Sequence, residues 1–282
     1  MTDIALVTGA SSGIGLRTAA ALADAGWHVV ATARHPEGSA ELQALADAHD
    51  EIEVAALDVT DDASVQSSVD TVLAQHGRVD LVVNNAGVGY RGTLEQLTLD
   101  DFASVMDVNF YGVVRVTKAV LPAMRLAGSG RIITVTSMNG LVAMPFGDAY
   151  NASKFAVEGL MEGLAPVASG FGVHVSLLEP GPVRTSFFTS MGGKTGRATA
   201  DGDTDDPYTA MRNAYNAMIG AAADAGESPD DVAAVIVAIA TSEHPSLRYQ
   251  SSANATHMAA GKLVDVTGDT LTTVTRSIIG LT

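Results

Sequence analysis

Tyr150 and Lys154 stand four residues apart in a stretch, Ala149 to Ser169, whose apolar spacing predicts a helix. Residues so spaced share one helical face. A free tyrosine has a pKa of about 10, too high for a base near neutrality. A neighbouring ammonium favours the phenolate and lowers that value, so the pair is expected to supply an acid–base group nearer working pH. Tyr-x-x-x-Lys arises by chance in many helices, and other residues must support the reading. Ser137 closes the apolar run Arg131 to Thr136, where its hydroxyl could hydrogen-bond a substrate oxygen and steady developing charge. Asn109 falls inside a long helical pattern, Leu99 to Leu126, although asparagine is a poor helix former. It is either an exposed polar residue or the mark of a kink whose freed backbone carbonyl could hold water.

A second group of residues faces phosphate chemistry. Thr8-Gly9-Ala10-Ser11-Ser12-Gly13-Ile14-Gly15 joins a short β-branched run to a helical pattern. Its glycines allow a tight turn and close backbone approach to a pyrophosphate, and the helix N-terminus adds unpaired N–H groups and a favourable dipole. The Gly-Lys-Ser/Thr ending of an ATP-binding loop is missing. Gly9-Ala10-Ser11-Ser12-Gly13 also fits the Gly-x-Ser-x-Gly nucleophile elbow of serine hydrolases, with Ser11 as nucleophile. Only eight residues precede Gly9, too few for an oxyanion loop, and no late histidine has a supporting context. After the second β-run comes Arg34 and no carboxylate; an acid there holds a ribose hydroxyl, whereas a guanidinium suits a 2′-phosphate. NADP(H) is therefore expected over NAD(H), with Ser12 as an extra donor.

These residues need a frame. Short strands at Ile4 to Val7, His28 to Ala33, Ile52 to Leu57, Asp80 to Val83, Arg131 to Thr136 and Val173 to Leu178 alternate with helical patterns. A further strand is expected at Leu247 to Gln250. Strand–helix alternation implies right-handed crossovers and a parallel sheet covered on both faces. The expected fold is a single-domain α/β, doubly wound Rossmann-type sheet of about seven strands over residues 1–282, with ligands at the carboxyl ends of the strands. Residues 184–226 are rich in Gly, Thr, Asp and Ala and are expected to form a substrate lid after the sixth strand. Beyond it, Asp230 to Ala240 reads as a helix capped by Ser228 and opened by Pro229.

Composition excludes several classes of function. The net charge of −16 repels phosphate backbones, so no nucleic-acid partner is expected. The absence of cysteine removes disulfides, thiolate metal sites and cysteine nucleophiles. The seven histidines are scattered with no ligand pair in sequence, and no metal is expected. The longest purely apolar run, Val232 to Ala240, is far short of the ~20 residues of a membrane span. With no signal-peptide pattern at the start, a cytoplasmic location is expected.

Taken together the motifs resemble the short-chain dehydrogenase/reductase family. The resemblance runs from Ile4 to about Thr185. It includes the glycine loop, Asp58 in Leu-Asp-Val-Thr, Asn84-Asn85-Ala86-Gly87, Asn109 in Val-Asn-Phe-Tyr-Gly and Ser137. Tyr150-Asn151-Ala152-Ser153-Lys154 and Pro180-Gly181-Pro182-Val183-Arg184-Thr185 complete it. The resemblance implies a catalytic tetrad of Asn109, Ser137, Tyr150 and Lys154. Tyr150 would exchange a proton with the substrate oxygen and Ser137 would orient substrate. Lys154 would bind the nicotinamide ribose, and Asn109 would hold a water in a proton relay. The same resemblance implies a cofactor site made by Thr8, Gly9, Ser11, Ser12, Gly13, Ile14, Gly15, Asp58, Val59, Asn85, Ala86, Gly87, Pro180, Gly181, Val183 and Thr185. Met144 to Tyr150, Lys154 to Leu160 and Pro245 to Tyr249 look most like the 17β-hydroxysteroid and retinol dehydrogenase branch, which implies a lipophilic alcohol or ketone as substrate. Leu141, Val142, Met144, Phe146, Phe187 and Phe188 are candidates for its apolar pocket, or for plain core packing. The family's homodimers or homotetramers pack long helices, and Ala152, Ala156, Gly159 and Gly163 would permit such contact. A non-catalytic NADP(H)-binding regulatory protein stands beside the hydrolase as an alternative.

Overall fold

The computed structural model describes residues 2–187, 206–265 and 267–280. Seven parallel strands form one sheet in the order β3-β2-β1-β4-β5-β6-β7. They are β1 (Ile4–Val7), β2 (His28–Ala33), β3 (Ile52–Ala56), β4 (Leu81–Asn84), β5 (Gly130–Val135), β6 (Val173–Glu179) and β7 (Arg248–Gln250). This is the expected doubly wound, Rossmann-like sheet. β1 and β4 are buried at every position because helices cover both faces.

On one face lie α1 (Gly13–Asp24), α2 (Ala40–Ala48) and, further along the chain, α8 (Pro229–Thr241). Leu22, Leu42, Val232, Ile236 and Ile239 pack there against Val7, Val29 and Val83. The other face is covered by α3 (Asp62–His76), α5 (Gly112–Ala127) and α6 (Asp148–Ser169). Val65, Val69, Val116, Val120, Val157 and Met161 pack there onto Leu6, Val30, Val82 and Ile132. Between β1 and β4 the order of crossovers reverses, which opens a crevice at the carboxyl edge.

The long helix expected over Leu99 to Leu126 is interrupted. α4 (Leu99–Met106) passes into a π-helical turn, Asp107–Tyr111, before α5 begins. The Gly112 N–H bonds back to the Asp107 carbonyl, five residues earlier. Gly112 lies against the loop after β3; a Cβ there would come 2.9 Å from Val59 Cγ2. The turn brings Asn109 inward, to 1% exposure.

α7 (Thr209–Asp224) follows the chain beyond Asp206, and α8 starts with the expected Ser228 cap, reciprocated by Asp231. A small clasp joins the two ends of the 184–226 segment. The Arg184 N–H donates to the Glu227 carbonyl at 2.9 Å, and the Glu227 N–H donates to the Pro182 carbonyl at 3.0 Å. Two helices not anticipated from sequence, α9 (Ala253–Val264) and α10 (Asp269–Ile278), end the described chain. Among the described residues no helix is long and apolar enough to cross a membrane.

Candidate active site

The carboxyl edge of the sheet holds a cleft of about 600 Å³. Its floor is built by loops after β1, β4, β5 and β6, and its far wall by α7, α9 and α10.

At one end the glycine loop turns from β1 into α1, with Gly9 and Gly13 at positive φ (68° and 57°). Packing as well as conformation demands glycine here. A Cβ on Gly9 would meet the Ala86 Cα at 2.8 Å, and one on Gly15 would meet the Gly9 carbonyl oxygen at 2.3 Å. Asn85 secures the loop by donating to the carbonyls of Thr8 and Gly9 at 2.9 and 3.1 Å. The Thr8 hydroxyl accepts from the N–H groups of Asn85 and Ala86. Thr8 and Gly15, also expected at the cofactor, are buried behind the cleft surface and hold the loop's shape. Gly9, Ser11, Ser12, Gly13 and Ile14 do line the cleft, as do Asn85, Ala86 and Gly87, and Pro180, Gly181, Val183 and Thr185 on the opposite side.

The features at this end fit a dinucleotide phosphate. Ser12 caps α1 without using its side chain, and no acidic residue occupies the first turn, so the positive helix end faces the cleft uncompensated. Arg34 is exposed at the rim. Asp58 and Val59 line the wall beside it. Burial works against the Asp58 charge, but the Thr60 N–H (2.9 Å) and hydroxyl (2.7 Å), with Arg34 and His35, hold its carboxyl below the usual range. Ser11 carries no hydrogen bond to a histidine among the described residues, so the hydrolase alternative has no base to activate it.

Midway along the cleft, α6 presents Tyr150 and Lys154, 9% and 5% exposed, next to Ser137 at the end of β5. The Lys154 ammonium donates to the Val135 carbonyl at 3.0 Å and lies 5.6 Å from the centre of the Tyr150 ring. Burial pushes the Tyr150 phenol up to about 12, opposed by its hydrogen bond with Ser137. Burial pushes Lys154 down to about 8, opposed by the Glu158 carboxylate. The lysine's hydrogen bond goes to the Val135 carbonyl and not to the phenol, so burial sets the direction of the Tyr150 shift.

Asn109 does not line the cleft. Its side chain clasps Val88, accepting from the N–H and donating to the carbonyl, both at 2.8 Å, and donates to the Ser153 hydroxyl at 2.9 Å. It ties the π turn, the loop after β4 and α6 together behind Tyr150. Beneath Lys154 lies an acidic network, buried at Glu158 and Glu179 and exposed at Glu162. Arg248 reaches Glu158 and Glu179, each at 3.2 Å, and Glu162 at 2.6 Å; Gln250 donates to Glu179 at 2.7 Å. Burial pushes Glu179 up to about 7, and the nearby Glu158 adds to that rise.

The remaining half of the cleft is apolar. Met144, Phe146 and Phe187 line it, with Phe187 packed 5.6 Å from the Tyr150 ring. Leu141 and Val142 pack in the adjoining core and do not reach the cleft; Phe188 lies outside the described residues. Sequence reasoning missed Tyr215, Met218 and Ile219 on α7, Met258 on α9 and Ile278 on α10. The spacing of Met211, Tyr215, Met218 and Ile219 was the available signal, since it marks one helical face. Phe146 holds a left-handed φ of 59° and stacks 5.5 Å from Tyr215. The histidine reading also needs correction: the fold brings His28 and His76 together, ring centres 4.7 Å apart, at the opposite edge of the sheet.

Residues 3–195 match the profile of the short chain dehydrogenase family. Bovine (Bos taurus) retinol dehydrogenase 8 is 40% identical over 93% of this chain and 86% of its own. Human (Homo sapiens) 17-beta-hydroxysteroid dehydrogenase type 1 is 38% identical over 98% and 86%. Among solved structures, a short chain dehydrogenase/reductase from Burkholderia phymatum in complex with NAD superposes with a TM-score of 0.80 at 28% identity, covering 94% of both chains. An alcohol dehydrogenase from Thermococcus sibiricus complexed with 5-hydroxy-NADP superposes at 0.70 with 27% identity, covering 89% of this chain and 96% of its own.

Proposed function

Because this chain belongs to the short chain dehydrogenase family and is an oxidoreductase of the alcohol type, we propose that it interconverts a lipophilic secondary alcohol and its ketone, using NADP(H) in preference to NAD(H). The observation that carries this reading is the position of Tyr150. It stands with Ser137 and Lys154 where the polar, glycine-lined half of the cleft meets the apolar half.

The bound dinucleotide supplies or receives the hydride. The α1 N-terminus, Ser11, Ser12 and Gly13 would hold its pyrophosphate, Asp58 and Val59 would flank its adenine, and Arg34 would take the 2′-phosphate. Pro180, Gly181, Val183 and Thr185 would border the nicotinamide end. In the reductive direction Tyr150 gives its phenolic proton to the carbonyl oxygen; in the oxidative direction it takes one from the alcohol. Burial favours the protonated phenol, which suits the donor role in reduction; in oxidation the Lys154 charge would favour the phenolate that accepts the proton. Ser137 hydrogen-bonds the same substrate oxygen. Lys154, charged below about pH 8, holds the ribose and offers positive charge beside the phenol. Asn109 acts behind these groups, fixing the Val88 loop against α6.

The apolar wall of Met144, Phe146, Phe187, Tyr215 and Met258 suits a ring alcohol or other lipophilic substrate, as do the retinol and hydroxysteroid dehydrogenases among the relatives. Of the segment 184–226 expected as a lid, the described parts Thr185, Phe187 and α7 would border that substrate, and residues 188–205 lie outside the described residues. A homodimer or homotetramer through α6 is supported by its exposed outer face. Ala152, Gly159 and Gly163 lie there, with nothing within 4 Å of a Cβ on either glycine, beside Phe155 at 40% exposure.

The test is consumption of NADPH, followed by absorbance, over a panel of steroid, retinoid and small aliphatic ketones and aldehydes, with NADH in parallel. Faster turnover of lipophilic rings with NADPH is expected. Equal rates for small aliphatic carbonyls, or faster turnover with NADH, would overturn the substrate or the cofactor assignment respectively.

A further inference from the structure

At the amino edge of the sheet, away from the cleft, three potential metal ligands converge. His28 opens β2, Glu53 is the second residue of β3, and His76 ends α3. About 16 Å of β2 separates His28 from the cleft end of the strand, at roughly 3.3 Å per residue. Pairing of Val30 with Glu53 sets the two strands in register, and α3 delivers His76 to the same face. His76 Nε2 lies 3.2 Å and His28 Nε2 3.6 Å from Glu53 Oε2, and the ligand atoms of all three residues lie within 4.8 Å of one another.

The His28 Nε2 atom is buried without a hydrogen-bond partner. An orphaned ring nitrogen is costly, and a lone pair directed at a cation removes that cost. The donor set is two imidazole nitrogens and one carboxylate oxygen. It suits a borderline-soft divalent transition metal, whereas magnesium and calcium prefer oxygen alone. In a tetrahedral zinc site with bonds of about 2.0–2.1 Å, ligand atoms sit about 3.3 Å apart. The two edges at Glu53 already approach this, and the third closes by turning the His28 and His76 rings. The three side chains are half-buried, so an ion has a path from solvent and room for water to complete the coordination.

We propose that His28, Glu53 and His76 form a site for a divalent transition-metal ion of the zinc class, which pins the end of α3 to β2 and β3. The ion is structural in this position, far from the proton-transfer group, and nothing in the oxidoreductase reading depends on it.

The experiment takes tag-free, chelator-treated protein, reloads it with excess zinc and measures the zinc kept after desalting, zinc affinity by calorimetry and the melting temperature with and without zinc. The variants are His28→Gln and His76→Gln, singly and together, with circular dichroism confirming that each is folded. Wild type should retain about one zinc per chain and melt a few degrees higher with it. Each single variant should lose affinity by tenfold or more, and the double variant should neither retain zinc nor respond to it. Equal zinc content in the wild type and the folded double variant would place the metal elsewhere and overturn the site. So would a wild type that keeps none, or one stabilised equally by magnesium. If the double variant fails to fold, the comparison passes to the single variants, where unchanged affinity in both overturns the site.

Discussion

Lys154 lies 5.6 Å from the centre of the Tyr150 ring yet gives its hydrogen bond to the carbonyl of Val135. The two groups share a helical face and a burial environment, and each is driven by that burial toward its uncharged form. Their chemistry is therefore separable. Burial favours the neutral phenol, and the charge on the lysine beside it varies independently.

Tyr150→Phe removes the transferable proton while keeping the ring that packs on Phe187. Ketone reduction should fall by about 10²–10⁴-fold, the usual range for loss of a positioned acid. NADPH affinity, read by fluorescence titration, should change by no more than a few-fold. Turnover within tenfold of wild type would show that another group transfers the proton.

The lysine sets a pH limit. Lys154 is charged below about 8 and neutral above it. Because kcat/KM for NADPH reports groups of the free enzyme, it should be level through neutrality and decline as pH rises past about 8. In Lys154→Gln that decline should disappear and the neutral-pH value should be lower. A wild-type profile that rises through this range would contradict the assignment.

Arg34→Ala should discriminate between the two dinucleotides. A charge-assisted hydrogen bond contributes about 1.5–3 kcal/mol, so NADPH affinity should fall between about tenfold and a hundredfold. NADH affinity should stay within about threefold. Parallel losses for both would mean that Arg34 shapes the loop and does not contact a 2′-phosphate.

Glu179 makes stability depend on pH. Its folded value is raised from the ordinary 4.5 to about 7, so between these values the folded chain binds more protons than the unfolded one. Stability from this group is complete below about 4.5 and is lost as pH rises through about 7. Lys154 titrates above that window. Melting temperatures of wild type and Glu179→Gln, compared from pH 5 to pH 8, should shift in the variant's favour by a few degrees as pH rises. A constant difference across the range would show that Glu179 is already charged at low pH.

Much of this architecture was legible in β-branched runs and turn residues. His28 to Ala33 appears as a strand with the expected bounds, and Ser228 and Pro229 open α8 where their chemistry demands. The glycine loop, Ser137 and Tyr150 are likewise local signals, because each motif spans a few residues. The π turn at Asn109 was legible as an oddity but not as a geometry. It depends on Gly112 meeting Val59, 53 residues away in sequence. The neutral tendency of Tyr150 and Lys154 follows from burial, which side-chain spacing does not report. The His28–His76 contact depends on which strand lies beside which helix, and no one-dimensional spacing records it.

The two-bond clasp between Pro182, Arg184 and Glu227 has a consequence for how such a protein diversifies. It closes the segment at its root, so the chain leaves β6 and enters α8 at fixed points whatever lies between. The family match runs to residue 195, shortly past the first half of that root. The root is thus anchored by main-chain bonds alone, which any non-proline residue at Arg184 and Glu227 can make, so its place is set by the path of the chain and not by the identity of those side chains.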